Sequence, residues 1–277
     1  MNRNILRKIA VIVATLVLGV TLLCSCAENN SSSNKNDLPK LVMGIDYYEP
    51  FVYRDENGGF AGLDVELATE VCRHIGYTPV FVHIEWAEKN TYLSKGEIDC
   101  IWCCFTRTGR EEDYSWSLPY MNSRQVVAVK SDSAIYKLAD LTGKRIAVQS
   151  TTKADDIFSG RAGVENLIVP TLKELNCLPS VNYLFGAINK GYVDGIAGHE
   201  LVLREYMKTS SSELRILEES LLEVRIGVAF LSGAHADIVD KLNDAFQLLK
   251  HNGYLAGLVS DYGLDPDLYL VDYEEKD

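Results

Sequence analysis

The stretch LVMGIDYYEPFVYRDENGGFAGLDVELATEVCRHIGYTPVFVHI, residues 41–84, predicts a strand, a helix and a second strand in succession. Residues 41–45 and 80–84 are largely apolar, as in strands that are buried on both faces. Between them, apolar residues recur on one side of a predicted helix over 64–74, and Gly76 ends the pattern. This order of elements favours parallel pairing in an α/β fold.

The same alternation continues along the chain. Further strands are predicted at 98–103, 145–149 and 193–197, and further helices at 152–158, 201–207 and 238–249. We therefore expect mostly parallel sheets that are flanked by helices. Because such folds bind ligands at the carboxyl ends of strands, polar residues at three strand ends are candidate contacts, namely those at 103–106, 150–152 and 198–200.

The overall charge limits the possible partners. The chain has 27 Lys and Arg residues against 39 Asp and Glu residues, and its formal net charge is −12. Nucleic-acid binding needs a basic face, so this acid excess argues against it. The hydrophobic fraction of 47% is typical of a globular protein and argues against a disordered chain. We expect no cofactor.

The first 37 residues predict a targeting segment followed by a flexible tether. Three basic residues precede an apolar run at 9–23, which is fifteen residues long and short for a membrane span. The run ends in LCSC at 23–26, which resembles a bacterial lipobox with Cys26 as the lipidated residue. Residues 1–25 are then a lipoprotein signal peptide, and residues 26–37 a flexible tether. A simple cleaved signal peptide and an uncleaved anchor are the alternatives.

Five cysteines follow the lipobox: Cys72, Cys100, Cys103, Cys104 and Cys177. Cys100 and Cys103 have a spacing found in metal and redox sites, but no second pair follows. Strand geometry would place these two side chains on opposite faces, which favours small buried residues over a metal site. A soft-metal site of Cys103, Cys104 and His199 is the weaker alternative.

Five stretches occur in an order that is typical of one protein family: YEPF at 48–51, GFAGLDVELA at 59–68, Trp86 followed by GEID at 96–99, WSLPY at 116–120 and DLTGKRIAVQ at 140–149. Together they resemble the bacterial extracellular solute-binding proteins, family 3, in the polar-amino-acid branch. Members of that family are receptors for ABC importers.

The resemblance implies a two-lobed fold of the type II periplasmic-binding-protein kind. Each lobe would hold a mostly parallel sheet flanked by helices, and two crossover strands would form the hinge. The first lobe would comprise residues 38–122 and 228–277, and the second lobe residues 123–227. The two lobes would close around a ligand.

Arg110 is the principal candidate for binding a carboxylate, because the family's carboxylate-binding arginine follows a stretch similar to 106–109. A planar guanidinium can hold a carboxylate by two parallel hydrogen bonds. Arg107 is a rival, since the family usually has one more residue before the arginine. The plain alternative is a solvated Arg110 that pairs with Glu111 or Glu112.

Thr151 and Thr152 are the second candidates. Backbone N–H groups at the start of a helix favour an anion. The alternative is an ordinary N-cap, because Thr152 and Asp155 have capping-box spacing.

Small and aromatic residues complete the implied pocket. Cys104 and Thr106 match positions where the family often has small residues that give backbone or hydroxyl contacts. Tyr48 and Trp86 match aromatic or apolar walls around the ligand, although core packing is the commoner fate of such rings. Asp46 could assist an ammonium group or cap the loop after the first strand.

His199 is a departure from the family pattern, which usually has an ammonium-binding aspartate here. An imidazole cannot replace that carboxylate. Either Glu200, Glu49 or Asp46 then binds the ammonium group, or the ligand lacks a standard one. In the second case the ligand could carry two anionic groups, one on Arg110 and one on His199.

The resemblance implies a lipid-anchored, extracytoplasmic receptor of an ABC importer. It would capture a small carboxylate-bearing solute, foremost an amino acid, by clamp closure, as a monomer with an ABC permease as its partner. One alternative is an enzyme on the same fold, a dehydratase or a lyase, with His199 and Glu200 as the acid and base. The other is a lipoprotein that senses its ligand.

Overall fold

The structure is a computed structural model and describes residues 38–273. The predicted signal peptide, the predicted lipidation site at Cys26 and the predicted tether lie outside this range. Across residues 38–273, no helix combines the length and the apolar character needed to cross a membrane.

The first sheet combines four strands from residues 40–116 with one strand near residue 230. Its strands in spatial order are β4 (Thr78–His83), β1 (Lys40–Ile45), β5 (Cys100–Ile101), β13 (Ala229–Leu231) and β6 (Tyr114–Trp116). β1 pairs in parallel with β4 and β5, whereas β13 is antiparallel to β5 and β6. A separate two-stranded sheet consists of β2 (Tyr53–Arg54) and β3 (Phe60–Ala61).

The second sheet is formed by the middle of the chain. Its strands are β11 (Leu214–Ile216), β7 (Met121–Lys130), β10 (Gly195–His199), β8 (Arg145–Gln149) and β9 (Glu174–Leu178), with β12 (Leu222–Ile226) also paired to β7. β8 is parallel to both of its neighbours, but β7 is antiparallel to all three of its own. Both sheets are therefore mixed rather than mostly parallel, because strands that cross between the sheets run against those they join.

Eight α-helices cover the sheets within residues 38–273. They are α1 (Leu63–Ile75), α2 (Lys89–Ser94), α3 (Lys153–Phe158), α4 (Val181–Asn189), α5 (Glu200–Met207), α6 (Ala236–His251), α7 (Tyr254–Asp261) and α8 (Pro266–Tyr269). α1 buries its apolar side and is followed by Gly76. Gly76 has a φ of 74°, a left-handed conformation that glycine adopts easily because it has no Cβ. The predictions for the strands β1, β4 and β8 and for the helices α1 and α6 are confirmed within a few residues.

The chain crosses between the two sheets twice. It leaves the first sheet after Trp116 and enters the second at Met121, and it returns between Ile226 and Ala229. An isolated bridge between Thr106 and Ile226 lies beside the return. The expected lobe boundaries lie at or next to these crossings, and we keep them as a proposal.

Two hydrophobic clusters support this arrangement. The larger one contains the buried rings of Trp102, Tyr120 and Phe246, whose centroids lie 5.8 to 6.2 Å apart. The smaller one lies under the second sheet and includes Val127 and Val148. The larger cluster also includes Val126 of β7, Ala147 of β8 and Ile196 of β10, so it packs against strands of both sheets.

Candidate functional site

A cavity lies where the carboxyl ends of β1, β5, β8 and β10 meet. Eight of the ten residues predicted as ligand contacts line it: Asp46, Tyr48, Trp86, Cys104, Thr106, Arg110, Thr152 and His199. Four further residues line it: Cys103, Phe105, Gln149 and Lys153. Cys103 and Phe105 lie within the strand end 103–106 that the sequence analysis singled out, whereas Gln149 and Lys153 lie next to the strand end 150–152 and were not predicted.

The cavity is narrow in this conformation. The space that the centre of a water molecule can reach is about 20 Å³. That volume is enough for about one water molecule. This space is too small for an organic solute of amino-acid size.

Arg110 is buried at the cavity, with 8% of its surface exposed. Its Nη2 donates to Oδ2 of Asp156 over 2.6 Å, and its Nε donates to the same oxygen over 3.2 Å. Asp156 was not predicted, and it takes the place of the expected partners Glu111 and Glu112. The rival Arg107 lines a different groove. Arg110, rather than Arg107, is therefore the arginine that lines the cavity.

Two buried lysines add positive charge near Arg110. Lys89 Nζ donates to Thr151 Oγ1 over 2.8 Å and to the Thr151 carbonyl over 3.2 Å. Lys153 Nζ donates to the Ala162 carbonyl over 3.0 Å. Burial, with help from the Arg110 charge, lowers the pKa of Lys89 to about 7 and that of Lys153 to about 8. This end of the cavity is cationic.

Asp46 gives the cavity a carboxylate. Its Oδ1 accepts a hydrogen bond from the Tyr47 backbone N–H over 2.8 Å, and its Oδ2 accepts one from Gln149 Nε2 over 3.0 Å. Burial raises the pKa of Asp46, although both hydrogen bonds act in the opposite direction. The described part of the chain gives Asp46 no Lys or Arg partner, and its only ion-pair contact is His83 Nε2 at 3.3 Å.

His199 is held as a neutral ring. Its Nε2 lies 3.0 Å from Thr106 Oγ1, and its Nδ1 lies 2.8 Å from Ser123 Oγ. Burial, together with the charge of Arg110, lowers the pKa of His199 to about 3. The hypothesis of a second anionic group on His199 therefore lacks the positive charge that it requires.

Glu200 lies outside the cavity, in contrast to our expectation. Its two carboxylate oxygens accept hydrogen bonds from Arg124 and Arg204, each at 2.7 Å. As the first residue of α5, it is directed away from the neighbouring His199. Glu200 is therefore no longer a candidate for the ammonium partner. The acid and base pair of the enzyme alternative is not assembled either.

Thr151 and Thr152 begin α3 without the predicted capping box. The Thr152 hydroxyl donates to the Gln149 carbonyl over 2.7 Å, and Asp155 accepts from the Thr151 N–H over 2.8 Å. Thr151 has a φ of 59°, which is strained for a residue with a Cβ. It does not line the cavity with the others, but its carbonyl accepts from both Lys89 and Arg110.

The turn at Cys104 depends on a buried carboxylate that we did not predict. Cys104 has a φ of 46°, and its N–H donates to Asp64 Oδ2 over 2.6 Å. The Tyr120 hydroxyl donates to the other oxygen of Asp64 over 2.8 Å. Burial raises the pKa of Asp64 to about 7. The GFAGLDVELA stretch contained Asp64, but only the fold reveals its contact with the site.

The cysteines at the cavity are thiols. Burial raises the pKa of Cys103 and of Cys104 well above the usual range. Neither is in a disulfide. Residues 38–273 contain no group of three or more His, Cys, Asp or Glu residues arranged to hold a metal ion.

Residues 41–265 match the bacterial extracellular solute-binding proteins, family 3. The chain belongs to this family. Its expected fold class, the type II periplasmic-binding-protein-like α/β fold, is confirmed. Relatives in the family are named as binding proteins, and the chain is a solute-binding protein rather than an enzyme.

Individual relatives are distant in sequence but match over most of their length. The L-cystine-binding protein TcyA of Bacillus subtilis is 26% identical over 265 residues, which are 90% of this chain and 95% of the relative. The arginine-binding extracellular protein ArtP of the same organism is 25% identical, over 85% and 90% of the two chains. A substrate-binding protein of an ABC uptake transporter from Streptococcus pneumoniae, with bound histidine, has a TM-score of 0.73 at 26% identity, over 82% and 93%.

The backbones of two loops touch beside Arg110. A Cβ on Gly109 would lie 2.1 Å from the Ala162 carbonyl oxygen, and one on Gly163 would lie 2.2 Å from the Gly109 carbonyl oxygen. No side chain fits between these loops, which belong to the halves of the chain around β5 and around β8.

We predict that Gly109→Ala prevents this approach. Gly191→Ala is the matched control, because Gly191 has a φ of 72° against 71° for Gly109 but nothing within 4 Å of its Cβ position. Both variants should lose about 1 kcal/mol of stability through backbone strain. Only Gly109→Ala should have a larger radius of gyration in small-angle X-ray scattering. Equal radii for the two variants would contradict the prediction.

We predict that the carboxyl of Asp64 makes the folded state less stable as the pH rises. The unfolded chain ionises this group near pH 3.8 and the folded chain near pH 7, so the stability that Asp64 contributes is present at low pH and lost between these values. Asp64→Asn resembles the protonated group. Relative to wild type, its free energy of unfolding should rise by roughly 2–4 kcal/mol between pH 4 and pH 8.

Urea denaturation at both pH values measures this difference. The control is Asp140→Asn, because the backbone N–H groups of Tyr136 and Lys137 lower the pKa of Asp140. The stability that ionised Asp140 contributes is present above pH 3.8 and is lost only as the pH falls below that value, so the difference between this variant and wild type should stay nearly constant between pH 4 and pH 8. A difference for Asp64→Asn that stays constant with pH would show that the Asp64 carboxyl is ionised in the folded protein.

Proposed function

We propose that this protein is an extracytoplasmic, lipid-anchored receptor that captures an amino acid for an ABC importer. The observation that supports the ligand class is the distribution of charge in the cavity. A buried guanidinium and a lysine line it together with a carboxylate that has no Lys or Arg partner among residues 38–273. Opposite charges in one small cavity match a zwitterion.

The carboxylate of the ligand would bind at the cationic end. Arg110 can offer two parallel hydrogen bonds, and Lys153 lies close enough for its pKa to respond to the Arg110 charge. Thr152 lines the same part of the cavity. A ligand carboxylate that uses the Nε and Nη2 edge of Arg110 would replace Asp156 as the charged partner of this guanidinium.

The ammonium group of the ligand would bind at Asp46. Glu200 is held by two arginines outside the cavity, and Glu49 does not line it. His199 is neutral and can act only as a hydrogen-bond partner. The rings of Tyr48 and Trp86 and the thiols of Cys103 and Cys104 would then contact the apolar part of the ligand.

The names of the relatives support an amino acid without choosing its side chain. The relatives are named for L-cystine, arginine and histidine, which share the α-carboxylate and the α-ammonium group and differ beyond them. We therefore propose an α-amino acid as the solute class.

Binding would proceed by closure of two lobes, residues 38–122 with 228–277 and residues 123–227. A ligand stabilises the closed state only through contacts that it makes there and not in the open state. An ABC permease would recognise the closed form. A monomer is sufficient for this mechanism.

We predict that Arg110→Gln weakens amino-acid binding by roughly 10- to 100-fold, because a charged hydrogen-bond donor to the carboxylate is lost. A thermal-shift screen of the standard amino acids and L-cystine identifies the ligand, and calorimetry gives the affinity. Arg145→Gln is the matched control, since Arg145 pairs with Asp194 over 2.7 Å away from the cavity. Unchanged affinity of Arg110→Gln would disprove the assignment of the carboxylate site.

We predict that Cys26 carries the lipid. In a bacterial host, wild type should partition with the membrane fraction, and Cys26→Ser should not be processed to the lipidated form. Cys24→Ser is the matched control, because Cys24 is preceded by Leu22 and Leu23 and does not fit the lipobox. Mass spectrometry of the amino-terminal peptide measures the modification. A lipid on Cys26→Ser or its loss from Cys24→Ser would contradict the assignment.

A further inference from the structure

Asp156 forms an ion pair with the guanidinium of Arg110, the group that we assign to binding the ligand carboxylate. Arg110 follows β5 of the first sheet, whereas Asp156 lies on α3, which follows β8 of the second sheet. Their closest atoms are 2.6 Å apart, and the two side chains are 8% and 16% exposed. The ion pair therefore joins the two halves of the cavity.

The ion pair uses an edge of the guanidinium that is suited to a carboxylate. Both Nε and Nη2 donate to Oδ2 of Asp156. The other contacts of the group are longer, at 3.4 Å from Nη1 to the Thr106 carbonyl and 3.4 Å from Nη2 to the Thr151 carbonyl. A ligand carboxylate cannot use the Nε and Nη2 edge until Asp156 leaves it.

Two other cations surround the same carboxylate. Lys153 Nζ lies 3.8 Å from Oδ2 of Asp156, and Arg161 Nε lies 3.8 Å from Oδ1. Both cations are on or next to α3, so they stay with Asp156 when the strand ends move apart. Asp156 can therefore leave Arg110 without becoming an unpaired charge. The free-energy cost of replacing Asp156 by a ligand carboxylate on Arg110 is then low.

We propose that Asp156 competes with the ligand carboxylate for Arg110 and keeps the cleft closed until a ligand takes its place. This inference rests on the proposed function for the identity of the ligand. The narrow cavity supports it, because its volume of about 20 Å³ excludes an amino acid while the ion pair is formed. A ligand must then bind the open state, and Asp156 lowers the population of that state.

The test compares Asp156→Asn with Asp194→Asn. Both variants remove a carboxylate that pairs with an arginine at under 3 Å, but Asp194 lies away from the cavity, on Arg145. Small-angle scattering without added amino acid should give a larger radius of gyration for Asp156→Asn alone. Calorimetry with L-cystine, L-arginine and L-histidine should give about tenfold tighter binding for Asp156→Asn, because the open fraction limits the measured affinity.

Arg161→Gln provides an effect of opposite sign. It removes one cation that receives Asp156, so it should weaken binding of the same amino acids. In the double variant with Asp156→Asn, the substitution of Arg161 should have no further effect on affinity. Arg161 also contacts Asp155 at 3.2 Å. If Arg161 acts only through that contact, its substitution should weaken binding in the double variant as well.

Equal radii of gyration for Asp156→Asn and Asp194→Asn would overturn the inference. A larger radius with equal or weaker binding would also overturn it, because Asp156 would then close the cleft without competing. If none of the three amino acids binds wild type or any variant, the proposed function fails for these ligands, and the scattering comparison still decides whether Asp156 closes the cleft.

Discussion

The burial of positive charge between the two sheets is the constraint on which the site depends. Lys89 and Arg110 belong to the half of the chain around the first sheet, and the acceptors of their shortest hydrogen bonds, Thr151 and Asp156, belong to the other half. Buried cations without acceptors are strongly unfavourable. In the proposed closure mechanism, the burial of these charges and the closing of the cleft would therefore occur together. When the halves separate, water or an anionic group must replace the acceptors at both cations.

Hydrophobic periodicity and the family resemblance could predict those features that are determined by residues close together in the sequence. The strands β1, β4 and β8 and the helices α1 and α6 follow from hydrophobic periodicity and a terminal glycine. Arg110, Thr106 and His199 follow from the order of motifs, because each motif brings its strand end to the same edge of a sheet. Such positions are set by the backbone, so a linear pattern is enough to find them.

Long-range pairing and the burial of charge could not be predicted in this way. β7 is ten residues long and pairs with three strands, one of which lies about 100 residues further along the chain. Lys89, Lys153 and Asp156 are charged residues in short helices, and such residues are usually exposed. Glu200 was predicted as a ligand contact but does not line the cavity. It adjoins His199 in sequence, yet the entry into α5 directs it to Arg124 and Arg204.

The neutral state of His199 gives the cavity its charge balance. A carboxylate at that position would stand near Arg110 and compete with both Asp156 and a ligand for the same guanidinium. An uncharged ring bound to Thr106 and Ser123 leaves Arg110 with a single internal competitor. In the proposed assignment, Asp46 is then the charged partner for the ammonium group of a ligand.

The net charge of −12 does not oppose this arrangement. Charges on the surface are screened over about 10 Å at ordinary ionic strength, whereas buried charges are screened much less. In the proposed assignment, a ligand carboxylate is therefore governed by Arg110 and Lys153, which line the cavity. The surface charge acts before entry, and it favours solutes whose own net charge is zero or positive. A zwitterion satisfies both conditions, since it is neutral as a whole and presents a carboxylate to the buried cations.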